Sequence, residues 1–512
     1  MTTGNRQVSY AEFLAHVNRF KVRDVLIRCN AMANWADGIP AGEAFVETRV
    51  AGGGVLRTIV APSALAFVAK TSLLRSSDNR QRELTDREFS LLLAMQGELE
   101  DPFVKEDADL EGFLIRTAWE QFPLQEMKNR MIPRTLMLLR DANDALGRTP
   151  IDIEAAWEKM TGLSLEQFLI IGFAYLTGVG KSNRVVRHYA SRGIFEGKVA
   201  VEQCEAFLGL ASATYEEFRE LSSAFRIDDP LYSKTEFNVL AQRPLIAVRD
   251  ELIAPVPRLL LRRITDGVRY DLRDRFREEK GNPFSEYFGK LFEHYTGELL
   301  KWAFGEDKVF PEPVYGKEHR RGPDWVVIDD GTALLFECRS SGLLLESKTA
   351  AGQKQIRGDL KRILIETAKK YPQKVDDLRD GSAGVDVTSV TNFVPVIITY
   401  ESAYFEPVLR SLAIRELDQR AQEYRHIDIT DLETVTSWHG RYPISRLLEE
   451  WRATYKANPR EFGRFLHDWA KKYGLNLRNE LLDQRMGRFT EEYLGSAYPP
   501  QASSSQRDTL GW

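Results

Sequence analysis

Gly322-Pro323-Asp324-Trp325-Val326-Val327-Ile328-Asp329-Asp330-Gly331-Thr332-Ala333-Leu334-Leu335-Phe336-Glu337-Cys338-Arg339 holds two apolar runs around a tight-turn signal. Asp329-Asp330-Gly331 suits a two-residue β-turn, because Gly and Asp tolerate left-handed backbone angles. The spacing predicts a β-hairpin with Asp324 opening one strand and Glu337 near the end of the next. An antiparallel pair folded at Asp330-Gly331 brings the two carboxylates opposite each other. Glu337 and Arg339 then share one face, and Cys338 points the other way, into the core.

Upstream, Asn282-PFSEYFGKLFEHYTGELLKWAF reads as a helix with Asn282 as N-cap and Pro283 in its first turn. It carries Glu293 one residue after a core-facing Phe292. Val309-FPEPVY adds a strand. Downstream, a long basic helix is predicted from Ala351 to about Tyr371, followed by the strand Phe393-VPVIITY. The order helix, three strands, helix, strand implies a mixed sheet covered by helices.

Between Arg339 and Lys374 there are 9 basic and 3 acidic residues, a net of +6. Lys354, Arg357, Lys361 and Arg362 recur at helical spacing, and Lys369 and Lys370 follow. Such a run is an ordinary solvated helix face or, beside a metal-site pattern, a surface for a phosphate backbone. Gln353, Gln355 and Gln373 are either further contacts or plain surface.

Divalent-metal hydrolysis of a phosphodiester needs oxygen ligands clustered at one point; Mg²⁺ takes one or two carboxylates together with waters and phosphate oxygens. Asp324, Glu337 and position 339, with Gly289-xx-Phe292-Glu293 before them, resemble the pattern of the PD-(D/E)xK (restriction-endonuclease-like) nuclease superfamily over residues about 281–430. The resemblance implies that Asp324, Glu337 and the Cys338 backbone carbonyl ligate Mg²⁺ (or Mn²⁺). It implies that Glu293 holds a metal-bound water, and that position 339 orients the attacking water and offsets charge on the phosphate. Lys354, Arg357, Lys361, Arg362, Lys369 and Gln373 would contact nucleic acid, DNA in the first instance. Large bacterial proteins of this kind resemble defence factors against phage or foreign DNA, which makes a defence-system protein or a second copy of the chain the expected protein partner.

The departure is Arg339, where the pattern has lysine. Arginine stays protonated and cannot act as a general base, yet it binds phosphate well. Lys348 and Lys354 are candidates for a migrated lysine. The competing reading is a degenerate nuclease fold that binds nucleic acid or a partner without cutting, with Glu337 and Arg339 in an internal ion pair and Asp324 as a turn residue capping backbone amides.

The 512 residues suit two or three domains. The expected class is α+β multidomain: a mainly α-helical N-terminal domain over 1–240, an entry segment at 241–280, a restriction-endonuclease-like α/β domain with a mixed central sheet over 281–440, C-terminal helices over 441–495, and a disordered tail at 496–512. In the N-terminal part, Asp86-REFSLLLAMQGEL, Leu110-EGFLIRTAWEQF, Asp152-IEAAWEKM and Leu165-EQFLIIGFAYL show helical periodicity. FVETRV and VLRTIV, flanking Gly52-Gly53-Gly54, suggest a hairpin. Ser76 to Gly112 carries 11 acidic against 4 basic residues, a net of −7, read as a solvated face.

The hydrophobic fraction of 43%, the charged fraction of 28% and a formal charge of −5 are those of a globular protein and do not exclude a local nucleic-acid surface. Cys29, Cys204 and Cys338 are too dispersed for a zinc site or a disulfide framework, as in a reducing cytoplasm. The N-terminus has no signal pattern. Phe168 to Thr177 is apolar but about half the length of a membrane span, and reads as a buried helix. The expected location is the cytoplasm, with no membrane partner. Gly178-Val179-Gly180-Lys181-Ser182 lacks phosphate-loop spacing, and the histidines show no pairing for zinc.

Overall fold

In the computed structural model, residues 8–36, 48–49, 55–56, 61–79, 82–99, 110–125, 128–229, 232–279, 281–349, 353–402, 404, 406–455 and 459–494 are described. The N-terminal periodicities become helices at Asp86–Gly97, Leu110–Gln121, Ile153–Thr161 and Leu165–Ser182. Thr85 and Glu88 form a capping box at the first, and Ser164 and Gln167 another at the last, each satisfying backbone N–H groups that a helix start leaves free. Residues 48–49 pair antiparallel with 55–56, and the rest of the hairpin predicted there lies outside the described residues, as does the 496–512 tail.

Helix Leu165–Ser182 is a core element. Phe168, Leu169, Ile170, Ile171, Ala174 and Tyr175 are buried. Gly172 permits close approach to a second helix: a Cβ there would lie 2.3 Å from the Ile264 side chain. The Gly178–Ser182 sequence is the last turn of this helix rather than a loop. Among the described residues no single helix is long and apolar enough to cross a membrane.

Within the entry segment expected over 241–280, residues 245–275 are packed structure. Strands Leu245–Val248 and Glu251–Ile253 form a hairpin, followed by helices Pro257–Ile264 and Asp266–Arg275. Pro257 sits in the first turn of its helix, where its missing N–H costs nothing.

The second half begins with α1 (Pro283–Phe304), started by the Asn282 side chain accepting from the Ser285 N–H. The central sheet is built from β1 (Val309–Pro311), β2 (Trp325–Asp329), β3 (Thr332–Arg339), β4 (Asn392–Thr399) and β5 (Arg425–Asp428). Its order is β5-β4-β3-β2-β1; β1 and β3 both pair antiparallel with β2, and β3, β4 and β5 are mutually parallel. The fold is thus α+β with a mixed sheet. β5 had no counterpart in the sequence reading.

Parallel neighbours need crossovers, and these supply the helices on one face. The β3–β4 crossover holds Gln353–Leu360, a widened π-type turn at Lys361–Ile365, Glu366–Ala368, and α2 (Tyr371–Arg379). Ala333, Leu335 and Ile397 pack against this layer, together with Ile356, Leu360 and Leu378. Leu334, Phe336 and Cys338 face the opposite layer, which contains α1 and the C-terminal helices Ile444–Tyr455, Phe462–Tyr473 and Glu480–Leu494.

One apolar core runs from Met131 to Phe489, so the helices from Met131 onward share an interior with the sheet, while Phe13 to Leu99 pack in a second cluster with Leu240, Ile246 and Ile253. A buried ion pair ties the first together: Arg134 donates to Glu433 at 2.6 and 2.7 Å, and the Tyr295 hydroxyl donates to the same carboxylate at 2.7 Å.

Candidate active site

The β2–β3 turn has Asp330 and Gly331 at φ 46° and 72°, the pair of left-handed residues that a two-residue hairpin of this twist requires. It sets the register at Asp329 opposite Thr332 and Trp325 opposite Phe336. One further step along that register places Asp324 opposite Glu337. The Cys338 N–H donates to the Asp324 carboxylate at 2.7 Å.

Burial pushes the Asp324 carboxyl up, the Glu337 and Glu293 charges add to this, and the Cys338 N–H and Arg339 oppose it; the result is about 7. Glu293 belongs to the same field. Its carboxyl is raised by burial first and then by Glu312 and Glu337, against Arg321 and Lys290. The approach of α1 is fixed from beneath: the Trp325 indole donates to the Glu293 carbonyl at 2.9 Å, and its ring lies where a Cβ on Gly297 would stand, 2.1 Å away.

Glu337 is only 3% exposed and is met by two cations. Arg339 Nη2 donates at 3.0 Å, and Lys374 Nζ contacts the other oxygen. Arg339 also donates to Thr367 Oγ1 at 2.6 Å and to the Cys338 carbonyl at 3.3 Å. Lys374 also donates to the Gly322 carbonyl at 2.6 Å. Asp324, Glu337, the Cys338 backbone and Arg339 are therefore together, with Glu293 within electrostatic reach.

The lysine at the carboxylates is neither of the two candidates named from sequence. Lys348 donates to Glu401 at 2.7 Å, and Lys354 is exposed. Lys374 was missed because the basic run was read as one helix ending near Tyr371. Pro372 marks a restart, as proline in a first turn does, and α2 buries Tyr371, Val375 and Leu378. The Tyr371 hydroxyl donates toward the carbonyls of Val396 and Leu335, at 2.7 and 3.2 Å, seating α2 on β4 and β3 with Lys374 over the carboxylates.

Lys354, Arg357, Lys361, Arg362 and Lys369 are exposed, with Ile356, Leu360, Ile363 and Leu364 turned to the core. Arg362 donates to the Gly342 carbonyl at 2.9 Å and Lys369 lies 3.6 Å from Glu366, so part of this charge is locally compensated. Gln373 is exposed and donates to Asp377 at 2.7 Å, away from the carboxylates.

Two observations bear on Mg²⁺ or Mn²⁺ at this place. Asp324 is raised by burial first and then by the Glu337 and Glu293 charges, and a divalent ion beside it would favour its charged form. Against it, both Glu337 oxygens and the Cys338 carbonyl already accept from Arg339 or Lys374. Among the described residues no group of three or more His, Cys, Asp or Glu is placed to hold an ion. Two carboxylates and one carbonyl remain enough for magnesium, which keeps several waters. No protein-family model matches the chain, and no curated protein matches it.

Proposed function

We propose that the chain is a metal-dependent nuclease with a restriction-endonuclease-like domain that hydrolyses phosphodiester bonds of DNA. The observation carrying this reading is the meeting of Asp324, Glu337 and the Cys338 backbone at one end of a hairpin in a mixed sheet, with Lys374 delivered by the crossover helix. Asp324, Glu337 and the Cys338 carbonyl would hold the ion, Mg²⁺ or Mn²⁺. The ion's contribution is Lewis-acid polarisation of the phosphate and a lowered pKa of water.

The chain's own groups divide the remaining work. Lys374 and Arg339 present positive charge where a phosphate gathers negative charge in the transition state. Arg339 and Lys374 are both cations, so any proton removed from the attacking water would go to a carboxylate. Glu293, its carboxyl raised by burial first and then by Glu312 and Glu337, would orient that water through a hydrogen bond. Lys354, Arg357, Lys361 and Arg362 would follow the phosphate backbone. A role in defence against foreign DNA is an analogy that no residue here carries.

A second reading has its own support. The Arg339 guanidinium bridges Glu337 and the Cys338 carbonyl, so it takes up two of the three ligands. This suits a degenerate nuclease fold that binds without cutting.

Plasmid and single-stranded DNA incubated with purified protein and Mg²⁺, Mn²⁺ or EDTA separate the two. Metal-dependent cutting that falls by at least ~100-fold in Asp324→Ala and in Glu337→Ala, each loss worth several kcal/mol of transition-state stabilisation, supports the nuclease. Salt-sensitive binding with no cutting on any substrate selects the second reading.

A further inference from the structure

Between β1 and β2 the chain makes a short excursion, with strands Val314–Tyr315 and Arg320–Arg321 paired antiparallel. The strand expected over 309–315 divides here: Val309–Pro311 joins the central sheet, and Val314–Tyr315 pairs with Arg320–Arg321 instead. Residues 316–321 are all exposed. Val314–Arg321 carries Lys317, Arg320 and Arg321 against Glu318 alone, with His319 between them. Val314 stands 58% exposed, an apolar side chain facing out of a basic ribbon.

This hairpin is fastened to the candidate site. The Gly322 N–H donates to the Pro313 carbonyl at 2.8 Å and closes its base. The Gly322 carbonyl accepts from Lys374, the lysine that also meets Glu337. The Tyr315 hydroxyl donates to Asp377 on α2 at 2.7 Å, and Arg320 lies 3.6 Å from the same carboxylate. Arg321 lies 3.3 Å from Glu312 and belongs to the electrostatic surroundings of Glu293. Only Gly322 and Pro323 lie between Arg321 and Asp324, at most roughly 10 Å of extended chain.

We infer that the Val314–Arg321 hairpin is a second nucleic-acid contact that grips duplex DNA in its major groove, beside the phosphate presented to Asp324 and Glu337. The inference rests on the nuclease reading for the position of that phosphate. Phosphates rise about 3.4 Å per nucleotide along a strand, so Arg321 falls within about three nucleotides of the site. A two-stranded ribbon fits the B-DNA major groove, whereas the deep, narrow groove of A-form RNA excludes it. The basic crossover helices would hold the backbone from the other side.

The test is fluorescence anisotropy of full-length protein on a mixed-sequence DNA duplex in EDTA, across a salt series. Lys317→Gln/Arg321→Gln leaves the Tyr315 and Arg320 anchors in place. Removing two phosphate contacts is expected to reduce the slope of log K against log salt by about 2 and the affinity by roughly tenfold at the lower salts. Lys471→Gln/Lys472→Gln, which removes the same charge from helix Phe462–Tyr473, is expected to leave the slope unchanged. Equal slopes for wild type and the hairpin variant overturn the inference, as does tighter binding of duplex RNA than of DNA. Cleavage by wild type in Mg²⁺ is read separately. Hairpin-dependent binding without cutting removes the nuclease reading and keeps the hairpin, while cutting that is indifferent to the hairpin removes only the latter.

Discussion

Asp324 and Glu401 lie at the same end of the central sheet and meet opposite electrostatic treatment. Glu401, just beyond β4, accepts from Arg269 at 3.2 Å, Tyr270 at 2.7 Å and Lys348 at 2.7 Å. Burial alone would raise its carboxyl, yet Lys348 and Arg269 hold it down to about 2. The cations are themselves secured: the Arg269 guanidinium lies 4.7 Å from both the Phe288 and Tyr400 rings, and Lys348 lies 4.0 Å over Trp119. Asp324 is pushed up to about 7 by burial first and then by the Glu337 and Glu293 charges, and its one hydrogen-bond donor among the described residues is the Cys338 N–H. One cluster is closed on itself. The other has charge to spare, the condition expected where a cation or phosphate is to be received.

Stability measurements on Glu401→Gln give the comparison its largest expected effect. The change leaves Arg269 and Lys348 buried with only a neutral partner, and a loss of about 3–5 kcal/mol is expected at pH 7 in denaturant unfolding. Because the folded pKa of Glu401 lies below the unfolded one, its contribution is present above about pH 4.3 and fades as pH falls toward 2. An unchanged unfolding midpoint at pH 7 would break the contrast. Lys374→Met comes next. It removes the cation over Glu337 with little change in bulk, and cleavage is expected to fall by about 10²–10³, the usual cost of losing one transition-state donor. Full activity in Lys374→Met would return the electrostatic role to Arg339 alone.

Much of the site was legible because a hairpin converts sequence distance into spatial register. Once Asp330-Gly331 is a two-residue turn, Asp324 and Glu337 must face each other, and alternation sends Cys338 to the other layer. Lys374 was hidden because its position depends on where one helix stops and another starts. That is set by the π-type turn at Lys361–Ile365 and by the seat that Tyr371 finds on β4 and β3. The shared core was hidden for a similar reason. Arg134 and Glu433 are far apart in sequence, and neither carries a local signal that it will be buried against the other. In the same way, the entry segment expected over 241–280 holds a strand and a helix packed into the interior, Glu251–Ile253 and Pro257–Ile264.

Arg339→Lys probes whether the guanidinium fork restrains the site. The fork donates to Glu337, the Cys338 carbonyl and Thr367 together, and an ammonium cannot hold all three in one plane. Freed oxygens favour metal binding, so cleavage is expected to rise by up to roughly tenfold, about 1.4 kcal/mol. A fall would mean that the fork's own contact with phosphate matters more than the ligands it takes up.

Asp324 itself sharpens the comparison most, because the sign of its effect is opposite to that at Glu401. Asp324→Asn keeps an oxygen for the Cys338 N–H and removes a charge that its surroundings disfavour. The folded pKa, about 7, lies above the unfolded value, so protonated Asp324 favours the fold at low pH, and that advantage is lost as pH rises through 7. The Asn variant is therefore expected to match wild type below about pH 4 and to melt at a higher temperature at pH 8. Thermal unfolding of both proteins across that range, without divalent metal, reads the difference directly. A variant that melts lower at pH 8 would show Asp324 to be as well satisfied as Glu401, and the case for a site with charge to spare would go with it.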